Sequence, residues 1–543
     1  MNLVNYHGKQ QLATTTSRYL CGANPNTPRL IPYGCHYIDM NDMKYHVLSL
    51  GATGTGKSLG LKSSMAHNLA YCLRGSGVKV VIFDPKGDLL PIANYFSQKN
   101  GVPLYLINIG DNRSIKPQDG VTGYAWDIGK DCGRSPSRTL EMLSILFPIS
   151  DKDSPFWAQV IRLLSLAAVE GKVNFTLYNI YNLFFGSKES IDKVLERSEF
   201  GRIIKQRIFD SEAKETRDNI LISGIATMME FGAGAAHQYY TPRNRWLSLE
   251  DFVKGGEGIL VFQQDLAARS ASNPVIQAMF KTLMNQINTL PDLKDSDPPR
   301  IRFYIDEAPY LGKLSGLTEG LTFQRSKGVF FYIVAQEIEG LRNVYGKDIT
   351  ETIANNCDFK LLFRTNSAET AEWSVNLAGK ERFYEDNQSF NQGQNGIWTQ
   401  NISRQVVERN VFVSSDFLNL PAANKQNGID FYFLSPYTSK RVKYNLSPQE
   451  VEDFKPPKIP CPFIPKDTKY SYMPSLEEQK KINRCSKLSG TVAKVRNDSN
   501  LLENYLTNDP HPIAKAIRME IPKIIDQQLQ AAISSLLNLT KKP

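Results

Sequence analysis

Apolar positions along this chain follow two rhythms, and the change from one to the other outlines the architecture. YHVLSL (Tyr45–Leu50) is a short apolar run leading straight into a glycine-rich loop, and SLGLKSSMAHNLAYCL then spaces its apolar residues as a helix does. VKVVIFDPKGDLL (Val78–Leu90) and PLYLINIG read as two further strands, the first ending in a turn that carries Asp84, Lys86 and Asp88. From about Pro136 to Phe231 the strand signals vanish. RTLEMLSILF, FWAQVIRLLSLAAVEG and TRDNILISGIATMMEF are amphipathic helical stretches, which predicts an all-α insertion.

The alternating texture then returns. GILVFQQDL, RIRFYIDEAPYL, GVFFYIVAQE and FKLLFRTN are apolar strands separated by helical stretches such as NPVIQAMFKTLMNQINTL, and DFYFLSP and RVKYNL read as the last strands. Strands alternating with helices predict an α/β fold whose mainly parallel sheet is covered on both faces. The predicted organisation is an irregular N-terminal arm with short strands (1–44) and a nucleotide-binding domain in two parts (45–135 and 232–446). The all-α insertion (136–231) interrupts that domain. The proline-rich KPPKIPCPFIP and a helical tail ending in IPKIIDQQLQAAISSLLNL make up 447–543.

Composition narrows the function without naming it. A content of 41% hydrophobic and 22% charged residues is that of a folded protein, and the net charge of +9 suits an anionic partner such as nucleic acid or a membrane surface. The seven cysteines include no C-x-x-C pair and the six histidines no H-E-x-x-H, which argues against a disulfide framework or a side-chain metal cage. No signal peptide opens the sequence, and no apolar run approaches the roughly 20 residues that cross a bilayer.

The glycine-rich loop is a specific signal. Gly51, Ala52, Thr53, Gly54, Thr55, Gly56, Lys57 and Ser58 satisfy G-x-x-x-x-G-K-[ST] between a strand and a helix. Glycines let backbone N–H groups curl around phosphate oxygens at a helix N-terminus; Lys57 is placed to reach the β- and γ-phosphates of ATP, and Ser58 to ligate Mg²⁺. Phosphoryl transfer also needs a strand-end carboxylate on the magnesium and a group that activates water. RFYIDEAPYL offers Asp306 for the first role and Glu307 for the second, with Asp84 as the competing magnesium candidate. Gln336 ends the next strand, where a polar side chain can sense the γ-phosphate. Arg325 lies in the turn before that strand and is a candidate arginine finger for a neighbouring subunit.

The order of these segments, with IVAQEIEGLRNVYG, TIANNCDFKLL and ERNVFVSSDFLNLP after them, resembles the type IV secretion coupling proteins. These are conjugative DNA-transfer ATPases of the HerA/FtsK-type P-loop group, and the resemblance covers roughly residues 45 to 445. It implies a homo-hexamer with a RecA-like nucleotide-binding domain and an all-α domain. It also implies Arg325 as the trans-acting arginine, Gln336 as the sensor, and delivery of relaxase-bound single-stranded DNA or protein to a type IV secretion channel. Many family members carry an N-terminal membrane anchor, and this sequence shows none. The anchor is therefore missing from the sequence as given, or supplied by a separate subunit, or dispensed with by a cytoplasmic motor peripheral to the inner membrane.

Two rivals stay open from the sequence. One is a double-strand DNA pump or helicase on the same core. The other is a substrate-receptor platform that uses ATP only to hold its assembly.

Overall fold

The computed structural model describes residues 45–444 apart from 134, 149–154, 172–173, 210–213, 265–268, 295–298, 393–397, 425–427 and 437. It also describes the strands at 10–13, 30–33 and 36–39, and residues 459, 461–462 and 473–481. The chain divides into two compact units, Met1–Met473 and Pro474–Pro543.

The first unit is built on a ten-stranded sheet. The arm contributes β1 (Gln10–Ala13) to it, and β2 (Leu30–Tyr33) and β3 (His36–Asp39) form a separate hairpin. Then come β4 (Val47–Leu50), β5 (Lys79–Phe83) and β6 (Leu104–Asn108). A short parallel pair joins β7 (Ala125–Trp126) to β8 (Trp246–Leu247), tying together the entry to and exit from the helical insertion. The sheet continues with β9 (Gly258–Gln263), β10 (Ile301–Ile305), β11 (Val329–Ala335) and β12 (Phe359–Leu362). After a two-stranded ribbon, β13 (Lys380–Gln392) and β14 (Trp398–Asn410), it closes with β15 (Ile429–Ser435) and β16 (Thr438–Tyr444).

The order across the sheet is β1-β16-β15-β12-β4-β11-β10-β5-β9-β6. Every pairing from β12 to β6 is parallel, and β15 is antiparallel to both β12 and β16. Helices cover both faces. Because side chains alternate along a strand, Val80, Ile82, Tyr304 and Tyr332 pack with α1 (Lys57–Ala70) and α2 (Leu90–Asn100). Val81, Phe83, Phe303 and Phe331 turn to the opposite face, with the insertion and its neighbours. Burial on both faces explains why β4, β5 and β9 to β11 read as continuous apolar runs.

The insertion comprises α3 (Ile128–Cys132), α4 (Pro136–Leu146), α5 (Pro155–Glu170), α6 (Leu177–Phe184), α7 (Lys188–Leu195), α8 (Glu199–Ile204) and α9 (Lys214–Tyr240). Helix α9 runs through Phe231 to Tyr240 before the chain turns back to β8. Buried Asp131 of α3 fixes that return, accepting hydrogen bonds from Trp126 Nε1, Ser248 Oγ, Leu249 N and Glu250 N. These cap α10 (Leu249–Lys254), and α11 (Arg269–Ile287) follows β9.

The ribbon β13–β14 has no counterpart in the sequence expectations. Its register faces Tyr384 to Val406 and Phe390 to Gln400, so apolar and polar residues share a face. Exposed cross-strand ion pairs, Arg382–Glu408 and Arg404–Asp386, accompany them.

In the second unit, Ser475 and Glu478 cap one another's backbone N–H groups at the start of a helical turn. The tail helix expected at IPKIIDQQLQAAISSLLNL lies outside the described residues. No helix among the described residues is long and apolar enough to cross a membrane.

Candidate nucleotide-binding site

The site forms where β4, β11, β10 and β5 end side by side. Leaving β4, the chain enters the loop Gly51–Gly56 and turns directly into α1 at Lys57. Two glycines are sterically required. A Cβ on Gly51 would meet Phe363 Cβ at 2.5 Å, and Gly56 has φ 97° with Ile429 only 2.7 Å from where its Cβ would sit. Gly51 N donates to Gln336 O (3.1 Å) and Ala52 N to Arg364 O (2.8 Å), so the loop is pinned to the chain beyond β11 and β12. Thr55 Oγ1 closes it by donating to Ala52 O at 2.8 Å. Thr53 and Gly54 are exposed, and Ser58 is half-buried in the first turn of α1. This is a backbone cradle open at its tip, at a helix N-terminus that favours anions.

Asp306 and Glu307 follow β10, and both are buried. Burial pushes the Asp306 carboxyl up to about 6, and its Oδ1 has no hydrogen-bond partner. An unpartnered, buried carboxylate oxygen is costly unless something else satisfies it. A hard cation held by one carboxylate, a P-loop hydroxyl, phosphate oxygens and water would do so, which is how Mg²⁺ is held in P-loop enzymes. Asp306 and Ser58 thus fit a magnesium–nucleotide complex.

Asp84, the competing candidate, is already committed. Its Oδ1 accepts from Asp88 N (2.9 Å), and its Oδ2 accepts from Leu89 N (3.1 Å), Leu90 N (2.9 Å) and Gln263 Nε2 (3.2 Å). It anchors the turn into α2.

Glu307 has φ 49°, one of two non-glycine residues with positive φ among those described. Three donors converge on its Oε1: Lys86 Nζ at 2.6 Å, Gln336 Nε2 at 3.3 Å and Lys57 Nζ at 3.5 Å. Burial would raise the Glu307 pKa, but the Lys86 hydrogen bond and the charges of Lys57 and Lys86 outweigh it and hold the carboxyl below its usual range. Burial depresses the Lys57 pKa, with Glu307 opposing the shift. The arrangement gathers two cations, a carboxylate that can accept a proton and an amide beside it.

Arg325 is not part of this cluster. It is exposed in the turn before β11, over the ring of Tyr45 at 4.3 Å, near the end at which the parallel strands begin. The seven residues of β11 separate that end from Gln336, roughly 20 Å of extended chain. Lys57, Asp306, Glu307 and Gln336 come together; Arg325 stands apart. Lys86 is the participant that sequence reasoning left without a role, its one signal being its place in a polar turn closing an apolar strand.

A family model for the type IV secretion-system coupling protein DNA-binding domain matches residues 37–429. The coupling protein TraD of Escherichia coli strain K12 is 22% identical over 424 residues, covering 77% of this chain and 54% of TraD. A conjugal transfer protein TraG of Escherichia coli is 27% identical over 162 residues, covering 28% of this chain and 25% of TraG. The chain therefore spans about half the length of TraD and a quarter of TraG. Among solved structures, the unbound conjugative coupling protein TrwBdeltaN70 superposes with a TM-score of 0.59 at 19% identity, covering 77% of this chain and 89% of that one. Plasmid coupling protein TrwB in complex with ADP and Mg²⁺ gives 0.57 at 18% identity, covering 78% and 90%. These likenesses establish a shared fold, a mainly parallel P-loop sheet of the RecA type with a helical domain. The family match takes in every residue of the site just described, and the chain belongs to the type IV secretion-system coupling protein DNA-binding domain family.

Proposed function

We propose that this chain is the ATP-hydrolysing motor of a conjugative DNA-transfer apparatus. The observation that carries the reading is the convergence of Lys57, Glu307 and Gln336 beside the unpartnered Asp306 Oδ1. Such a site has the parts of a phosphoryl-transfer centre in which the γ-phosphoryl group passes to water and ADP departs as the leaving group. Complexes of the related TrwB with ADP and Mg²⁺ and with an ATP analogue support Mg-ATP as its ligand.

In this reading the loop amides and Lys57 hold the phosphates, and Ser58 and Asp306 hold the magnesium. Glu307 accepts a proton from the attacking water, and Gln336, bonded to Glu307 and pinned to Gly51, couples the site to the end of β11. Mg²⁺ supplies charge neutralisation at the phosphates. Arg325 completes the site of the next subunit in a homo-hexamer. The partners are DNA, single-stranded and relaxase-bound, and the proteins of a type IV secretion channel. The motor works at the cytoplasmic face of the inner membrane.

The test is ATP turnover by the purified protein alone, with single-stranded DNA and with duplex DNA. Stimulation by single strands supports the proposal. Stimulation by duplex alone favours a double-strand pump, and ATP turnover indifferent to DNA favours a receptor platform.

A further inference from the structure

Lys86 belongs to no phosphate-binding signature, yet it makes the shortest contact to the side chain of Glu307. The ammonium donates to Oε1 at 2.6 Å, against 3.3 Å for Gln336 and 3.5 Å for Lys57. Of the two cations, Lys57 is the P-loop lysine and is drawn to phosphate oxygens when nucleotide is bound. Gln336 is uncharged and its hydrogen bond is longer. A carboxylate 1% exposed would then keep one nearby charge partner, Lys86.

The turn carrying Lys86 is built to hold it there. Strand β5 lies directly beside β10 with Phe83 opposite Ile305, which brings the residues just beyond both strands together. The Asp84 carboxylate ties down the backbone N–H groups of Asp88, Leu89 and Leu90, so the turn is fixed immediately after Lys86. Gly87 has φ 73° and its N–H donates back to Asp84 O at 3.3 Å, closing the turn tightly. On the other side, Glu307 sits in a left-handed backbone conformation that glutamate rarely adopts and that surrounding contacts must enforce.

We propose that Lys86 is a positioning residue for ATP hydrolysis: it holds the Glu307 carboxylate in its reacting orientation once Lys57 is engaged with the nucleotide. This rests on the ATPase reading above. Lys86 acts through Glu307, so it governs turnover and leaves nucleotide binding to the loop.

The experiment compares the unmodified full chain with Lys86→Ala, Lys86→Met and Lys86→Arg. It measures affinity for a fluorescent ATP analogue with Mg²⁺, ATP turnover with single-stranded DNA, and melting temperature to confirm folding. Lys86→Ala and Lys86→Met should bind the analogue within about threefold of the unmodified protein while kcat falls about 30-fold or more. Lys86→Arg should recover a substantial part of the rate. In a Glu307→Gln background, Lys86→Ala should change the residual single-turnover rate by less than about twofold, because both changes disable one step. Turnover at or above the unmodified rate in Lys86→Ala overturns the proposal. Affinity falling in step with kcat overturns it by making Lys86 a phosphate ligand, and an undiminished loss in the Glu307→Gln background overturns it by separating the two residues. An unmodified protein that binds the analogue but hydrolyses no ATP with any DNA removes the ATPase reading itself. An active protein with an unaffected Lys86→Ala removes only the role of Lys86.

Discussion

Gln336 and Arg325 flank a single buried strand, β11, at opposite ends. Gln336 donates to Glu307 in the candidate site, whereas Arg325 lies over Tyr45 where the strands begin. An arginine so placed cannot serve the phosphate site of its own chain, so any catalytic role it has must be exercised on a second copy.

Activity should therefore depend on assembly. Arg325→Ala and Lys57→Ala should each be inactive, the first lacking the group it lends and the second the pocket that receives it. An arginine finger contributes about 10³–10⁵-fold in related P-loop enzymes. Mixing the two inactive proteins should form some interfaces with both residues intact and restore part of the turnover. Full activity in Arg325→Ala would contradict a catalytic role for that residue.

Asp84 holds the turn into α2 through both of its carboxylate oxygens. Asp84→Ala leaves the N–H groups of Asp88, Leu89 and Leu90 without their acceptor. The loss should be about 2–4 kcal/mol, read as a lower urea midpoint for the first unit. A variant of unchanged stability would contradict the anchoring role.

His46 gives a pH signature independent of the phosphate site. Its Nε2–H donates to Leu321 O at 3.0 Å, and its Nδ1 faces the N–H of Phe331 at 3.2 Å. A backbone N–H can only donate, so the ring is held neutral. Burial lowers its pKa to about 4, the bond to Leu321 opposing and the charge of Arg325 adding to the effect. The unfolded chain takes up this proton near pH 6.5 and the folded one only near 4. Stability from His46 is therefore complete above pH 6.5 and is lost as pH falls towards 4, by roughly 3 kcal/mol in total. His46→Gln should flatten that part of a stability–pH curve; an unaltered acid slope would contradict the assignment.

Much of this was legible in the sequence, for identifiable reasons. Strands buried on both faces, such as Val329–Ala335, announce themselves as apolar runs, and the P-loop is local, so eight consecutive residues specify its conformation. The ribbon β13–β14 was not legible because most of its side chains face solvent, and KERFYEDNQSFNQ shows no periodic apolar face. The β1 stretch, QQLA, is equally quiet; its place beside β16 depends on pairing across the length of the chain. The partnership of Lys86 with Glu307 depends on β5 lying beside β10, a strand order that no local pattern records. Asp84 and Asp306 look alike in sequence, each ending an apolar strand. They differ in whether backbone N–H groups already occupy their oxygens.

The net charge of +9 gives the proposed interaction with DNA a testable form. Contacts to phosphates release counterions, so affinity for single-stranded DNA should fall log-linearly with salt, with a slope of about −0.7 per phosphate neutralised. Affinity that stays flat across a salt titration would contradict a phosphate-directed interface.

Under the proposed function Glu307 activates water in a site that binds Mg-ATP without it. The decisive measurement is of ATP affinity and single-turnover hydrolysis on the same preparation of Glu307→Gln. Affinity should stay close to that of the unmodified protein while hydrolysis slows by about 10²–10⁴-fold, with Lys57→Ala failing at binding as well. Hydrolysis by Glu307→Gln at the unmodified rate would contradict that role for Glu307.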